Sequence, residues 1–157
     1  MKNRIEILRE YIDSIILNMS NDFDRRCAYV HLYGVSQACT LIALKRGENA
    51  ELLTMAGMLH DFYTYKFGYT KDHDKKGAIL AREVFEKLKI TTDDETDLIC
   101  SAISNHSSKG ITHSSFDEVL VDADVLQHCI YNVTMPILEH EKIRFEKLVK
   151  EFGLIVS

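Results

Sequence analysis

The chain has 157 residues, of which 46% are hydrophobic and 27% are charged, and its formal net charge at pH 7 is −5. This length and composition are typical of one soluble domain that can build a hydrophobic core without disulfides. The acidic balance, with no basic block, argues against a protein that binds nucleic acid through a positive face, although a few local cations or a metal would be enough for a small phosphorylated ligand.

Apolar residues recur along the chain with the 3.6-residue period of α-helices, and no stretch alternates convincingly as a strand would. Gly47 and Gly153 are typical of helix ends. Thr92 and Glu95 form a capping box at a helix start, and Pro136 fits the first turn of the last helix. In chain order, the predicted helices cover about residues 5–19, 25–46, 49–62, 72–88, 92–105, 115–132 and 136–153.

The third predicted helix is apolar on nearly every side, which predicts a position in the middle of the domain. An aromatic loop, residues 63–69, follows it, and a polar loop, residues 106–114, precedes the sixth helix. No linker, internal repeat or low-complexity tract interrupts the chain. The sequence therefore predicts an all-α fold, with residues 1–157 forming a single domain built as a bundle of about seven helices.

The four cysteines form no Cys-x-x-Cys pair and lie in apolar helical stretches, which is typical of free buried thiols in a reducing compartment. The chain opens on an amphipathic segment rather than a signal peptide, and it contains no continuous apolar run long enough to span a membrane. We therefore expect a cytoplasmic protein with no membrane partner and no nucleic-acid partner. The sequence is compatible with a monomer and with a homo-oligomer.

Six polar residues lie on or beside these apolar helical stretches: His31, His60, Asp61, His73, His106 and Asp124. His and Asp are poor residues to bury unless something holds their polar atoms, and a divalent metal does so. Together they form a set of ligands that Zn, Mn, Fe, Co or Ni accept, as one ion or two. The sequence therefore predicts a transition-metal site inside the helical bundle.

Each of these residues, taken singly, also has a simpler interpretation. His60 could be a helix C-terminal residue favoured by the helix dipole, with Asp61 starting the turn. The other histidines could equally be satisfied core or capping residues. Asp122 and Asp124 lie about 200° apart on a helix, so only one is expected to face a site, and the pattern alone does not select it.

The order His, His-Asp, Asp on an all-helical scaffold resembles the HD-domain metal-dependent phosphohydrolase superfamily over about residues 25–132. The matching segments are Arg26-x4-His31 with Gly34-Val35, Ala56-Gly-Met-Leu-His60-Asp61, and Asp122-Ala-Asp124-Val-Leu126. In the family the last ligand is the Asp two residues before a Leu, which selects Asp124 here. The two-metal branch adds a His in a His-x3-Gly-Ala segment and a His that ends the next helix, and His73 and His106 match these positions.

The resemblance implies one or two divalent transition-metal ions, with Asp61 shared between them. The implied ligand sets are His31, His60, Asp61 and Asp124 for the first ion, and Asp61, His73 and His106 for the second. Two such ions can share a hydroxide, activate it and clamp phosphate oxygens, so His60 and Asp61 are also the expected catalytic residues. The implied activity is hydrolysis of a small phosphate ester or anhydride by a metal-bound hydroxide, with a nucleotide as the expected substrate.

Four further residues are candidates for substrate binding: Lys109, Arg26, Lys66 and His128. Lys109, in the polar loop, could hold a phosphate, although a solvated lysine is an equal alternative. Arg26 and Lys66 have the same two interpretations. His128, one helical turn after Asp124, could face the site or brace it.

The segment after the His-Asp pair departs from the family. Several branches place a Lys three residues after the Asp, where Thr64 stands, and another places a Glu shortly after it, whereas residues 62–65 include no acid. The group that would protonate the leaving group is therefore unassigned, which matters least for a good leaving group such as a phosphoanhydride. The aromatic residues of 63–69 could form a lid that stacks on a base or could pack on neighbouring helices.

Two other functions fit the same residues. Some members of the superfamily use a His-rich di-iron site as an oxygenase, and a metal kept only for stability would leave a non-catalytic ligand- or partner-binding module. Full activity with Mn or Co in the absence of oxygen would exclude the oxygenase. A large stability loss on metal removal, without turnover of any phosphorylated compound, would support the module. A metal-dependent phosphohydrolase is the function that we expect.

Overall fold

Short-range signals set the starts of several helices. The computed structural model describes residues 3–155. Asn21 caps a helix by accepting a hydrogen bond from the backbone N–H of Phe23, and Thr92 and Glu95 form the predicted capping box. The helices are α1 (Arg4–Ile16), α2 (Asp22–Arg46), α3 (Ala50–Leu59), α4 (Phe62–Phe67), α5 (His73–Leu88), α6 (Asp93–Asn105), α7 (Ser115–Tyr131) and α8 (Lys142–Phe152).

The all-α helical bundle is confirmed, since residues 3–155 contain helices and no strand. The seven predicted helices are present, and one short helix, α4, lies where the sequence predicts an aromatic loop. Phe62 is buried in the core at the start of α4, and Gly68, with φ of 94°, ends it. A helix of 6 residues is too short to show its periodicity in the sequence.

The last helix begins later than its predicted start. Pro136 does not occupy its first turn, because α8 begins at Lys142 and residues 132–141 form turns and irregular chain. The residue before α8 is Glu141, whose buried carboxylate accepts a hydrogen bond from His128 on α7. This start therefore coincides with a tertiary contact that a local pattern does not contain.

The apolar helix α3 lies at the centre of the bundle, as its sequence predicts. It packs against α1, α2, α6 and α7, and most of its side chains are buried. α2 crosses it so closely that Gly57 has no room for a side chain, because a Cβ there would lie 2.6 Å from the Cα of Ser36. This close crossing brings His31 of α2 next to His60, at the C-terminal end of α3.

By length and composition, α2 is the one helix of the described residues that could cross a membrane. The core helix of a helical domain meets the same criteria. In this fold α2 packs against α3 and α7, and it contributes a row of buried side chains that includes Leu32, Val35 and Ile42. Within the bundle it is a core helix.

Ion pairs fix the last helix to the bundle. Asp122 on α7 accepts hydrogen bonds from Arg46 of α2 at 2.8 Å and from Arg144 of α8 at 2.9 Å. The carboxylate of Asp122 thereby joins three helices on the side of α7 that carries these arginines. α8 is held against α7 by this network and by its buried residues Phe145 and Leu148.

The Gly57→Ala variant is expected to lose about 1–3 kcal/mol of unfolding free energy, because its methyl group would overlap backbone atoms of Val35 and Ser36. Urea denaturation followed by circular dichroism measures the loss. Gly110→Ala is the matched control, since no atom lies within 4 Å of a Cβ there, and it should change stability by less than about 0.5 kcal/mol. A Gly57→Ala protein as stable as the wild type would contradict this helix crossing.

Candidate metal centre

His60 and Asp61 lie at the junction between α3 and α4. His60 is 0% exposed, and its Nδ1–H donates a hydrogen bond to the carbonyl of Gly57 at 2.8 Å. Asp61 follows as the residue before α4. Because Nδ1 of His60 is engaged, its Nε2 carries the lone pair and faces the neighbouring histidine and carboxylates.

The other predicted histidine ligands are held in the same way, each through Nδ1. The Nδ1 partners are Gln127 Oε1 for His31 at 2.9 Å, Thr70 O for His73 at 3.1 Å and Ile103 O for His106 at 2.6 Å. Bonds of this kind fix the tautomer and the ring orientation of metal-binding histidines. Each ring therefore presents its Nε2 to the centre.

One group of donor atoms surrounds the Nε2 atoms of His31 and His60, which lie 3.0 Å apart. Oδ2 of Asp61 is 3.2 Å from the first of these nitrogens and 3.6 Å from the second. Oδ1 of Asp124 is 3.6 Å and 3.7 Å from the same two atoms. Ligand atoms about 2.0–2.2 Å from one ion lie roughly 3–4 Å from each other, so this first ligand set fits a single metal ion.

A second group of ligand atoms lies close to the other oxygen of Asp61, Oδ1. Oδ1 of Asp61 is 3.4 Å from His73 Nε2 and 3.3 Å from His106 Nε2. The hydroxyl of Ser107 lies between the two rings, 3.2 Å and 3.3 Å from the same nitrogens. These atoms form a second ligand set, and the Asp61 carboxylate lies between the two sets.

Several of these donor atoms have no partner within the protein. Asp61 Oδ1 and Asp124 Oδ1 are buried without a hydrogen bond, which is costly for carboxylate oxygens. The Nε2 atoms of His31 and His60 lie 3.0 Å apart, and neither ring in its neutral Nδ1–H form has a proton to share between them. Divalent cations in the two ligand sets would satisfy all of these atoms, so the residues fit a metal centre.

The surroundings of the centre keep both carboxylates and the His60 ring in their metal-binding protonation states. Burial alone would raise the pKa of Asp61 and of Asp124, but neighbouring imidazoles, and for Asp124 also the Lys109 ammonium, outweigh it and hold both pKa values well below their usual range. Burial lowers the pKa of His60, which keeps that ring neutral. Burial alone would also lower the pKa of His31 and of His106, but their contacts with the Asp61 carboxylate outweigh it and raise both pKa values. Ionised carboxylates and neutral imidazoles are the forms that bind divalent metals.

One known family matches the part of the chain that contains these residues. The family described as HD domain matches residues 28–146 of the chain. The chain belongs to the HD-domain family. The match covers most of the chain, includes all six candidate ligands, and confirms the resemblance to the HD-domain metal-dependent phosphohydrolase superfamily, which binds divalent metals. No curated protein sequence matches the chain.

Of Asp122 and Asp124, the two aspartates of α7 between which the helical pattern did not choose, Asp124 faces the candidate metal centre. Its Oδ2 lies 2.8 Å from Lys109 Nζ, and its Oδ1 faces the histidines of the first ligand set. Asp122 instead binds Arg46 and Arg144. The choice that the helical pattern left open is thus made by which face of α7 meets α2 and α3.

Two of the candidate substrate-binding residues lie at the centre. Lys109 is held between two carboxylates, 2.8 Å from Asp124 Oδ2 and 2.9 Å from Glu141 Oε1. Its positive charge is therefore already neutralised by the protein, and it fixes the orientation of Asp124. His128 also faces the centre, with its Nε2 3.4 Å from Asp124 Oδ1.

A cavity of about 290 Å³ opens beside the first ligand set, and only one of the other two candidates, Arg26 and Lys66, lines it. Arg26 lines this cavity, together with Tyr65 and Tyr131. Lys66 is exposed and does not line it, and its ammonium lies 5.0 Å from the centre of the Phe67 ring. The cavity is at the small end of the range for ligand pockets.

The aromatic segment is divided between the two roles that the sequence left open. Tyr65 lines the cavity, whereas Tyr63 packs against Phe67 with ring centres 5.1 Å apart. Tyr69 lies over His73 of the second ligand set, with ring centres 5.2 Å apart. Of this aromatic segment, Tyr65 is therefore the residue available to a ligand in the cavity.

Three residues at the centre were missed by sequence reasoning: Gln127, Glu141 and Ser107. Gln127 follows Asp124 by three residues, a helical spacing that puts both on one face and could have identified it. Glu141 approaches the centre from the start of α8, and no local pattern marks it. Ser107 simply follows the last histidine of the second set.

The Asp61→Ala variant is expected to lose bound metal, because it removes the carboxylate that both ligand sets share. Elemental analysis of protein purified without chelators measures metal per chain. Asp97→Ala, which removes an exposed carboxylate paired with Arg82, is the matched control and should keep the wild-type metal content. Substoichiometric metal in the wild type, unchanged by Asp61→Ala, would count against the metal centre.

Proposed function

We propose that this HD-domain protein is a metal-dependent phosphohydrolase that hydrolyses a small phosphate ester or anhydride, with a nucleotide as its substrate. The observation that carries the proposal is the position of Asp61, whose Oδ2 faces one ligand set and whose Oδ1 faces the other. Bound at these two positions, divalent ions would polarise phosphate oxygens and lower the pKa of the attacking water.

The charge of the centre supports an anionic substrate. Asp61, Asp124 and Glu141 contribute carboxylates, and the Lys109 ammonium already offsets one of them. Two divalent cations would bring more positive charge than the remaining carboxylates neutralise. A phosphate group entering the centre would restore the balance, whereas a neutral substrate would not.

The protein's own side chains would hold the reacting groups in place. Gln127 fixes the ring of His31, and Lys109 holds Asp124 so that its second oxygen faces the first ligand set. Arg26, which lines the cavity, offers a planar guanidinium that suits phosphate oxygens. Arg26 would thus orient a phosphate that reaches from the cavity into the centre.

The cavity beside the centre supports a nucleotide. Tyr65 and Tyr131 offer aromatic surfaces to a ligand there, and a base stacked on an aromatic ring gains roughly 1–3 kcal/mol. A volume of about 290 Å³ favours one small molecule over a polymer. Because residues 62–65 include no acid, the proposal favours a phosphoanhydride, whose leaving group needs the least protonation.

The proposal places the protein in the cytoplasm. Its cysteines are free, which suits a reducing compartment. Its expected partner is a small phosphorylated molecule rather than nucleic acid or a membrane. Both ligand sets come from one chain, so a second copy of the chain is not needed to complete them.

A screen of phosphorylated metabolites against Mn, Co, Fe, Ni and Zn is expected to find release of phosphate that depends on metal. His60→Ala is the blank and should abolish the activity, because it removes a wholly buried ligand. His140→Ala, at an exposed histidine outside the ligand sets, should keep it. Free phosphate, or the cleaved product resolved by chromatography, is the measured quantity.

Two results, obtained by following oxygen uptake and melting temperature alongside the screen, would replace the proposed function. Oxygen uptake with substrate, together with an iron-dependent absorption band and no anaerobic activity with Mn or Co, would assign an oxygenase. A large fall in melting temperature on metal removal, with no turnover of any phosphorylated compound, would assign a non-catalytic module.

The Arg26→Gln variant is expected to raise the KM for the phosphorylated substrate by at least about tenfold, because a charge-assisted hydrogen bond contributes roughly 1.5–3 kcal/mol. Its metal content should equal that of the wild type. Lys66→Gln is the matched control, since it removes an exposed cation that does not line the cavity, and its KM should not change. Equal effects of the two variants would exclude a specific role for Arg26.

A further inference from the structure

His128 lies at the edge of the first ligand set, with no role in the function proposed above. It follows Asp124 by one turn of α7, and its Nε2 is 3.4 Å from Asp124 Oδ1. Its ring stacks on the ring of His31, with centroids 5.1 Å apart and planes 14° from parallel. One ring nitrogen of each histidine and one carboxylate oxygen of Asp124 all lie within 4.8 Å of one another.

A buried carboxylate holds the His128 ring in this orientation. Nδ1 of His128 donates to Glu141 Oε1 at 2.9 Å, and Glu141 is only 1% exposed. Lys109 Nζ lies 2.9 Å from the same oxygen, which keeps Glu141 charged. The His128 side chain is itself 39% exposed, so it needs no buried partner to satisfy its own polar atoms.

Burying the Glu141 carboxylate costs free energy, and the half-exposed His128 ring does not need a buried partner for its own stability. An arrangement that orients His128 for a ligand would account for this cost. A carboxylate that accepts from Nδ1 is the usual partner of a metal-binding histidine, because it fixes the tautomer that leaves Nε2 free to coordinate. The Glu141–His128 pair has this arrangement, and the free Nε2 lies beside the unpartnered Oδ1 of Asp124.

We propose that His128 is a further protein ligand of the metal ion bound by His31 and Asp124, and that Glu141 positions it. The inference rests on the metal centre of the proposed function and not on its phosphate chemistry. The first ion would have five protein groups around it, whereas the second ligand set supplies three. The first ion would therefore be the more tightly bound, and the second would keep more positions for water and substrate.

The competing role for His128 is contact with substrate, because its side chain also lines the cavity beside the centre. The two roles differ in the absence of substrate. A ligand of the first ion changes metal affinity and the spectrum of the bound metal, whereas a substrate contact changes neither. The test is therefore made on metal binding alone.

The test measures Co²⁺ binding by the full chain, with chelator competition for the affinities and visible absorption for the ligand environment. His128→Ala is expected to weaken the tighter of two Co²⁺ sites at least about tenfold and to change its absorption spectrum, with the weaker site unchanged. Added imidazole should restore the spectrum by taking the place of the missing ring.

Matched variants separate ligation from other effects. His140→Ala removes an exposed imidazole whose Nε2 lies 4.0 Å from Glu141, and it should bind Co²⁺ like the wild type. Glu141→Gln keeps His128 but weakens its orientation, so the affinity should fall less than in His128→Ala. His128→Gln provides a bulkier replacement, and melting curves of the metal-free proteins show that each variant is folded.

Unchanged Co²⁺ affinities and spectrum in His128→Ala would overturn the inference, and a raised KM in that variant would then assign His128 to substrate binding. A wild type that binds two Co²⁺ ions but hydrolyses no phosphorylated compound would remove the proposed activity and leave the inference standing. A wild type that binds no Co²⁺ would overturn both.

Discussion

The carboxylate of Asp61 is the group on which the rest of the centre depends. A charged carboxylate is costly to take out of water, so the elements around it must bring it partners. Three histidines place Nε2 within 3.4 Å of one of its two oxygens: His31 on α2, His73 on α5 and His106 at the end of α6. Asp61 lies at the junction between the central helix α3 and α4, one residue after His60. The same junction therefore determines how the hydrophobic core packs and where the polar centre forms.

The histidines owe much of their order to the ends of helices. The last carbonyls of a helix have no partner within it, and a histidine placed just after them can donate Nδ1–H back to the carbonyl three residues earlier. His60 does so to Gly57, and His106 does so to Ile103. One local bond thus satisfies the helix and aims the ring, so the protein itself holds these side chains in position for the ion.

Most of the fold could be predicted, because helical periodicity and caps are short-range features. The six ligand candidates came from polar residues in apolar helices together with the resemblance to the HD-domain superfamily, and the structure brings their side chains together. The pattern could not separate Asp122 from Asp124, since both lie on a largely buried helix and only packing assigns their faces. It placed Pro136 in a helix because nothing local marks the irregular chain before α8. The position of Glu141 at the centre could not be predicted either, because its partners Lys109 and His128 come from other parts of the chain.

The position of Glu141 makes the last helix part of the centre although α8 carries none of the six predicted ligands. Arg144 of that helix pairs with Asp122 of α7, Glu151 of that helix pairs with Arg46 of α2, and Glu141, the residue before the helix, then reaches inward to His128. HD proteins that share all six ligand residues but end in a different C-terminal segment would present a differently supported imidazole to the same cation. If His128 binds the metal as proposed, the C-terminal segment contributes to the affinity of the centre through Glu141 although it supplies no ligand of its own.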